Sequence, residues 1–233
     1  MSVAQCSDTL TPEEKNGASG FVSILPQLEQ SSLHDALSVG AGGLWNRDVD
    51  DLVWFEMYTR KREGILAQLP VYWCPSETGE RTSEVYQPVV AATSSYAFCN
   101  GSLGPDNLVN VTKYENNGPF LYVTQRGHAS IRDGHSNTLF VGEVLRPDVW
   151  ESSNVWTYAI ANADSLRTTT NPLNTPPGDG ITIERRNGAF GSSHPGGGNF
   201  VYGDGHVEFM SDSIELDLYQ SLSTIAEGET ISL

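Results

Sequence analysis

The segment Gly188–Phe209 constrains the fold of this chain more than any other. Two apolar runs, Asn199–Tyr202 and His206–Met210, flank Gly203-Asp204-Gly205. An Asp-Gly pair between apolar runs is a strong hairpin signal, because a type I′ turn needs φ > 0 at both central residues. With Asp204-Gly205 as a two-residue loop, Tyr202 is expected opposite Val207, and Phe200 opposite Phe209, on one face. Val201 then pairs with Glu208, and Gly203 with His206, on the other. Phe200 and Phe209 are therefore expected to be buried cross-strand neighbours. Upstream, His194-Pro195 followed by three glycines is stiff and then permissive, a loop that can bring backbone close to a neighbour.

Helical signals come early and strand signals late. Phe21, Leu25, Leu28, Leu33 and Leu37 recur near helical spacing around Pro26, which predicts one or two short helices over Phe21–Leu37. Asp50 or Asp51 can cap a helix over Leu52–Leu69 that Pro70 ends. Strands are expected at Val71–Cys74, Ser95–Cys99, Phe120–Thr124, Thr138–Val144 and Val155–Ile160. A long surface loop is expected over Asn162–Gly180, and a short helix over Ile214–Ser223. Helices first and sheet afterwards is an α+β order. Residues 1–19 form a polar N-terminal segment, and 20–233 read as one domain, since a chain of 233 residues with 38% hydrophobic content can bury one sizeable core.

A formal charge of −16 argues against nucleic acid and against docking on anionic lipid. Three cysteines do not make a disulfide scaffold. Cys74 and Cys99 each lie in an apolar run, so they can meet as a disulfide or remain two buried thiols; Cys6 lies in the polar segment. Asn100-Gly101-Ser102 and Asn110-Val111-Thr112 match glycan acceptors by chance.

Two groups invite a metal reading: His194, Asp204 and His206, and His128, Asp133 and His135. Neither has the helical His-x-x-x-His or Cys-x-x-Cys spacing of a zinc site. Asp133-Gly134 and Asp204-Gly205 are both explained as turns, and Asp133 and Asp204 are the candidate calcium ligands, although no EF-hand pattern is present. No catalytic residue is expected. Gly191-Ser192-Ser193-His194-Pro195 is not a Gly-x-Ser-x-Gly elbow, and Gly196-Gly197-Gly198 is not a phosphate loop. His194 is expected to order the glycine-rich loop by hydrogen bonds to backbone or to a carboxylate such as Glu143; the competing role is a general base.

His194 is followed by nine residues and then Asp204-Gly205, a spacing that resembles the C-terminal signature of a large bacterial family of prepilin-like secreted proteins of unknown function. Other segments resemble that family in order. Gly20–Gln30 is similar to its "LLPYLEQ" segment, Tyr72–Ser76 to its "FxCPS" strand and Ser95–Cys99 to its "SYA" strand. Ile131–Glu143 is similar to its "IxDGTSNTxxxGE" block, and Leu222–Glu229 to its closing segment. The resemblance implies a pilin-like headpiece, with N-terminal helices packed on an antiparallel sheet and a C-terminal β-hairpin. Full-length members of that family begin with a basic leader and a long apolar helix, whereas residues 1–19 are polar. Membrane attachment is thus expected only through an anchor helix not present in this chain.

Three functions follow as expectations. The first is a non-enzymatic, exported pseudopilin-like subunit of a type II secretion or type IV pilus-like system. It would be periplasmic or extracellular, held at the inner membrane before assembly, with other pilin-like subunits as partners. The second is an extracellular carbohydrate- or peptide-binding protein using Trp45, Trp150 and Trp156. The third is a secreted hydrolase using His194.

Overall fold

Ser19 starts the helical part of the chain. Its hydroxyl accepts a hydrogen bond from the Phe21 N–H at 3.1 Å and caps α1 (Gly20–Ser23). Pro26 follows in a 3-10 turn over Leu25–Leu28, where a missing N–H near the start costs no internal bond. Glu29, at φ 60°, ends that turn before α2 (Ser31–Leu37). The structure, a computed structural model, describes residues 17–37, 44, 61–86, 89–104, 113–122, 124–145, 153–158, 165–176 and 188–226. Of the helix expected over Leu52–Leu69, residues 61–65 are helical and those before 61 lie outside the described residues.

The strands are β1 (Thr82–Tyr86), β2 (Val89–Ala92), β3 (Tyr96–Gly101), β4 (Leu139–Glu143), β5 (Leu166–Thr168), β6 (Gly197–Tyr202) and β7 (Val207–Ser211). β1 and β2 form a separate antiparallel pair, and the other five form one mixed sheet in the order β5-β3-β4-β6-β7. β5 runs parallel to β3 while the remaining pairs are antiparallel, so the expected antiparallel sheet gains a parallel edge. The architecture is α+β.

Each face of the sheet carries its own core. Phe98, with Tyr96 and Val141 at its margin, faces Phe21, Val22, Leu25, Tyr72 and Trp156. Ala97, Cys99, Leu139, Phe200 and Tyr202 face the opposite way, against Phe190 and Tyr219. Tyr219 belongs to α3 (Leu216–Ser221), inside the helix expected at Ile214–Ser223.

Several expectations change. Val71–Cys74 is not a strand: Pro70–Tyr72 forms a 3-10 turn, and Cys74–Glu77 closes another turn through the Glu77 N–H to Cys74 carbonyl bond at 3.0 Å. Pro75 suits the second position of such a turn. Phe120–Tyr122 is irregular, and Val155 and Tyr158 make single bridges. Part of the expected surface loop Asn162–Gly180 is β5, buried throughout. The hairpin β1–β2 was not read from the sequence.

The C-terminal hairpin forms one residue out of the expected register. Val201 pairs with Val207, Phe200 with Glu208 and Asn199 with Phe209. The Gly205 N–H bonds to the Tyr202 carbonyl and the Tyr202 N–H to the His206 carbonyl, both at 3.0 Å. With Gly205 at φ +92° and Asp204 outside the left-handed region, this is a three-residue loop closed by a glycine bulge rather than a type I′ turn. Phe200 is buried at 1% exposure, whereas Phe209 is turned to the other face at 50%. They are not buried partners, because a one-residue slip sends each side chain of one strand to the opposite face.

Candidate functional site

Three separate segments bring Cys74, Glu143 and His194 together. Cys74 opens the turn after the Pro70–Tyr72 segment, Glu143 ends β4, and His194 precedes the Pro195-Gly196 turn, where Gly196 adopts φ +77°. The loop before β6 is fastened by backbone. The Gly191 N–H bonds to the Glu143 carbonyl at 2.9 Å, the Ser192 N–H to Asn174 Oδ1 at 2.8 Å, and the His194 N–H to Ser192 Oγ at 2.8 Å.

Glu143 is buried at 3% exposure. Its Oε2 accepts from the Asn199 backbone N–H at 2.7 Å and from Asn199 Nδ2 at 3.1 Å. Its other oxygen, Oε1, lies 3.2 Å from His194 Nε2. Cys74 Sγ lies 3.5 Å from the same nitrogen. Both side-chain partners of His194 therefore stand at Nε2, not one at each ring nitrogen. Among the described residues these are the three His, Cys, Asp or Glu side chains whose ligand atoms gather, all within 4.8 Å of one another.

Electrostatics follow from burial. Desolvation, with the Glu143 carboxylate adding to it, pushes the Cys74 thiol above its usual range, against hydrogen bonds at Ser76 that lower it. Burial, then Cys74 and Glu143, hold the neighbouring Tyr96 hydroxyl up at about 12. A nucleophilic cysteine needs the opposite, a depressed pKa and a base oriented through its far nitrogen. In chelator-treated protein at neutral pH, Cys74 is thus expected to alkylate more slowly than a cysteine in an unfolded peptide, with the rate still climbing above the ordinary thiol range. Peptide mapping after timed iodoacetamide exposure measures this; a Cys74 rate faster than that of the peptide contradicts the direction of the shift.

Of the two readings of Cys74 and Cys99, the disulfide does not form, and both are buried free thiols. Cys99 shares the β3 face with Ala97, and its Sγ lies 3.9 Å from the Ser223 carbonyl. Cys74 sits on the other side of the sheet, near Tyr96. Cys6 lies outside the described residues.

The remaining motif residues are turn builders. Asp204 Oδ1 accepts from the His206 N–H at 3.0 Å and lies 2.6 Å from His206 Nδ1, and His206 stacks on Tyr202. These bonds, the backbone one first, hold the Asp204 carboxyl below its usual range. Gly134 takes φ +93° beside Asp133, whose Oδ2 accepts from Thr224 Oγ1 at 3.4 Å. The Arg132 N–H bonds to the Ile225 carbonyl at 2.6 Å, tying this turn to the segment after α3. His128 Nδ1 lies 2.8 Å from His135 Nε2, with His128 exposed and His135 half-buried. Neither Asp133 nor Asp204 joins a group of three or more such side chains among the described residues.

A family model of proteins of unknown function, DUF1559, matches residues 3–217. The chain belongs to the DUF1559 family. No curated protein and no solved structure matches it significantly. The DUF1559 match spans Cys74, Glu143, His194 and the Asp204-Gly205 turn.

Beside the cluster, the helical side of the sheet leaves an apolar groove. It runs between Phe21, Ile24 and Leu28 on one wall and Val141, Val201 and Val207 on the other. Val207, at 61% exposure, carries it to β7, the outermost strand of the sheet among the described residues, where Phe209 is exposed on the same face. Trp156 is fully buried and donates through Nε1 to the Ala67 carbonyl at 3.0 Å, so it is core. Trp45 and Trp150 lie outside the described residues. Asn100 is buried, and its amide donates to the Phe120 carbonyl at 2.7 Å, which removes it as a glycan acceptor. No helix among the described residues is long and apolar enough to cross a membrane.

Proposed function

We propose that this DUF1559 chain is the headpiece of a non-enzymatic, exported pseudopilin-like subunit that packs on other pilin-like subunits. The observation that carries it is the β7 edge. A strand with unpaired N–H and C=O groups is a template for another chain, and soluble proteins usually blunt such edges with charge or cover. Here Val207 and Phe209 are exposed along it, and Val207 also lines the apolar groove. Exposed apolar surface of this kind marks association sites. The motif order that resembles prepilin-like proteins supports the same reading.

A photo-crosslinking residue placed at Phe209 is expected to capture a pilin-like subunit of the same cell envelope, identified by mass spectrometry. Val207→Asp with Phe209→Asp is expected to abolish capture by a second probe placed at Val71 while leaving the melting temperature near that of the parent. Recovery of the protein from the cytoplasmic fraction, or capture unaffected by both aspartates, contradicts the proposal.

A thiol hydrolase is the second reading, because Cys74 Sγ is within 3.5 Å of His194 Nε2. Glu143 competes for that same nitrogen and the thiol is held protonated, which is the wrong polarity for attack. Hydrolysis of ester or peptide substrates that disappears in Cys74→Ser would favour it over the subunit reading.

A further inference from the structure

We propose that Cys74 Sγ, Glu143 Oε1 and His194 Nε2 form a three-residue site for a zinc-class divalent metal ion. Three independent features carry this. The first is convergence. A hydrogen-bonded triad spreads its partners over the two ring nitrogens. Here thiol and carboxylate both stand at Nε2, which is where a shared ion rather than a shared proton belongs.

The second is distance. A tetrahedral zinc with bonds of about 2.3 Å to sulfur, 2.0 Å to nitrogen and 2.1 Å to oxygen separates S from N by about 3.5 Å and N from O by about 3.4 Å. The observed separations are 3.5 Å and 3.2 Å. The remaining edge, sulfur to oxygen, is within 4.8 Å.

The third is the surroundings. Oε2 of Glu143 is held by two Asn199 donors, which leaves Oε1 aimed at the cluster, the kind of outer support that metal-binding carboxylates receive. Ser95 lines the small cavity shared by Cys74 and Glu143 and is 1% exposed, and its Oγ has no hydrogen-bond partner among the described residues. A water at the fourth position of the ion would give that hydroxyl its partner. Charge balances as well: thiolate and carboxylate together neutralise a divalent cation, with the thiol proton released to solvent. Sulfur and imidazole select zinc or its first-row neighbours over calcium, which takes six to eight oxygen ligands. Access is open from the His194 side, whose ring is 27% exposed.

The ion would clasp the turn after Pro70–Tyr72, the end of β4 and the glycine-rich loop before β6. It is independent of what docks on the β7 edge.

The test uses the whole chain, stripped with chelator and titrated with Zn²⁺ against a chromophoric competitor, then with Co²⁺. Expected are one ion per chain, a raised melting temperature, and a thiolate-to-cobalt charge-transfer band with the intense visible bands of tetrahedral cobalt. In unmodified protein, Zn²⁺ is expected to protect Cys74, but not Cys6, from alkylation. Cys74→Ser is expected to lose the charge-transfer band, and Cys6→Ser to keep it. Asn199→Ala is expected to weaken binding by about 10–100-fold through Glu143. No stoichiometric binding, or a band that survives Cys74→Ser, overturns the site. Should Cys74→Ser not fold, unprotected Cys74 in the zinc-loaded parent overturns it equally.

Discussion

Phe200→Ala is expected to lower the unfolding free energy by about 3–5 kcal/mol, the cost of emptying a buried phenylalanine site. Phe209→Ala, nine residues on and across the same hairpin, is expected to change it by less than about 0.5 kcal/mol. Phe200 is 1% exposed, with its ring centroid 5.3 Å from Phe190 and 6.1 Å from Tyr219, both in edge-on contact. It lies over Gly142, where an added Cβ would fall 2.4 Å from the ring, so neither the strand below nor the rings beside it can close the gap. Phe209 stands half-exposed on an edge strand with solvent beside it. Urea unfolding of both variants at unchanged m-value separates the two cases. Equal losses would mean that Phe209 is also buried, and would restore the register of a two-residue turn.

That register is where the fold stopped being legible in the sequence. Asp204-Gly205 announces a hairpin under either turn type, since glycine also serves the left-handed position of a bulge that closes a three-residue loop. Local chemistry does not separate the two. Phe200 faces the core in either register; the difference lies in β7, where Met210 rather than Phe209 joins Phe190, Phe200 and Tyr219. β5 was hidden for a related reason. Leu166-Arg167-Thr168 sits amid polar and turn-forming residues, and becomes a strand because the edge of β3 offers it partners. The helical turns over Phe21–Leu37 were readable because Pro26 and the leucine spacing act locally.

At the site, the approach of Glu143 to His194 was anticipated from residue types alone, and the structure adds which ring nitrogen is used. The apolar neighbours of Cys74 suggest a strand that meets Cys99 in the core, as a disulfide or as two buried thiols. The Cys74-Pro75-Ser76 turn signal pointed the other way, to a thiol carried at a corner rather than in a sheet. Asn199 was read only as the start of an apolar run. Its role depends on lying beside the end of β4, a property of sheet order that no short window contains.

Glu143→Ala is the substitution at this cluster with the largest expected effect, about 2–4 kcal/mol. It removes a buried carboxylate that accepts two hydrogen bonds from Asn199, and bonds to a charged acceptor contribute about 1.5–3 kcal/mol net. It also leaves the Asn199 N–H and amide without their acceptor, a further cost of order 1 kcal/mol that partial rearrangement offsets. His194→Ala is expected to lose less, about 1 kcal/mol, because its ring is partly solvated and water can replace it at Oε1. Glu143→Gln separates the contributions. Its amide oxygen can keep both Asn199 bonds while its NH₂ group turns toward His194 Nε2, so stability is expected to stay within about 1 kcal/mol of the parent. Thermal melts of the three variants, with proteolysis mapped between Gly188 and Asn199, give the order. Glu143→Ala should be cut fastest in that segment, since the carboxylate holds Asn199 of β6 through both its backbone N–H and its side-chain amide. A His194→Ala loss larger than that of Glu143→Ala would place the anchor of the loop in the imidazole rather than in the carboxylate beneath it.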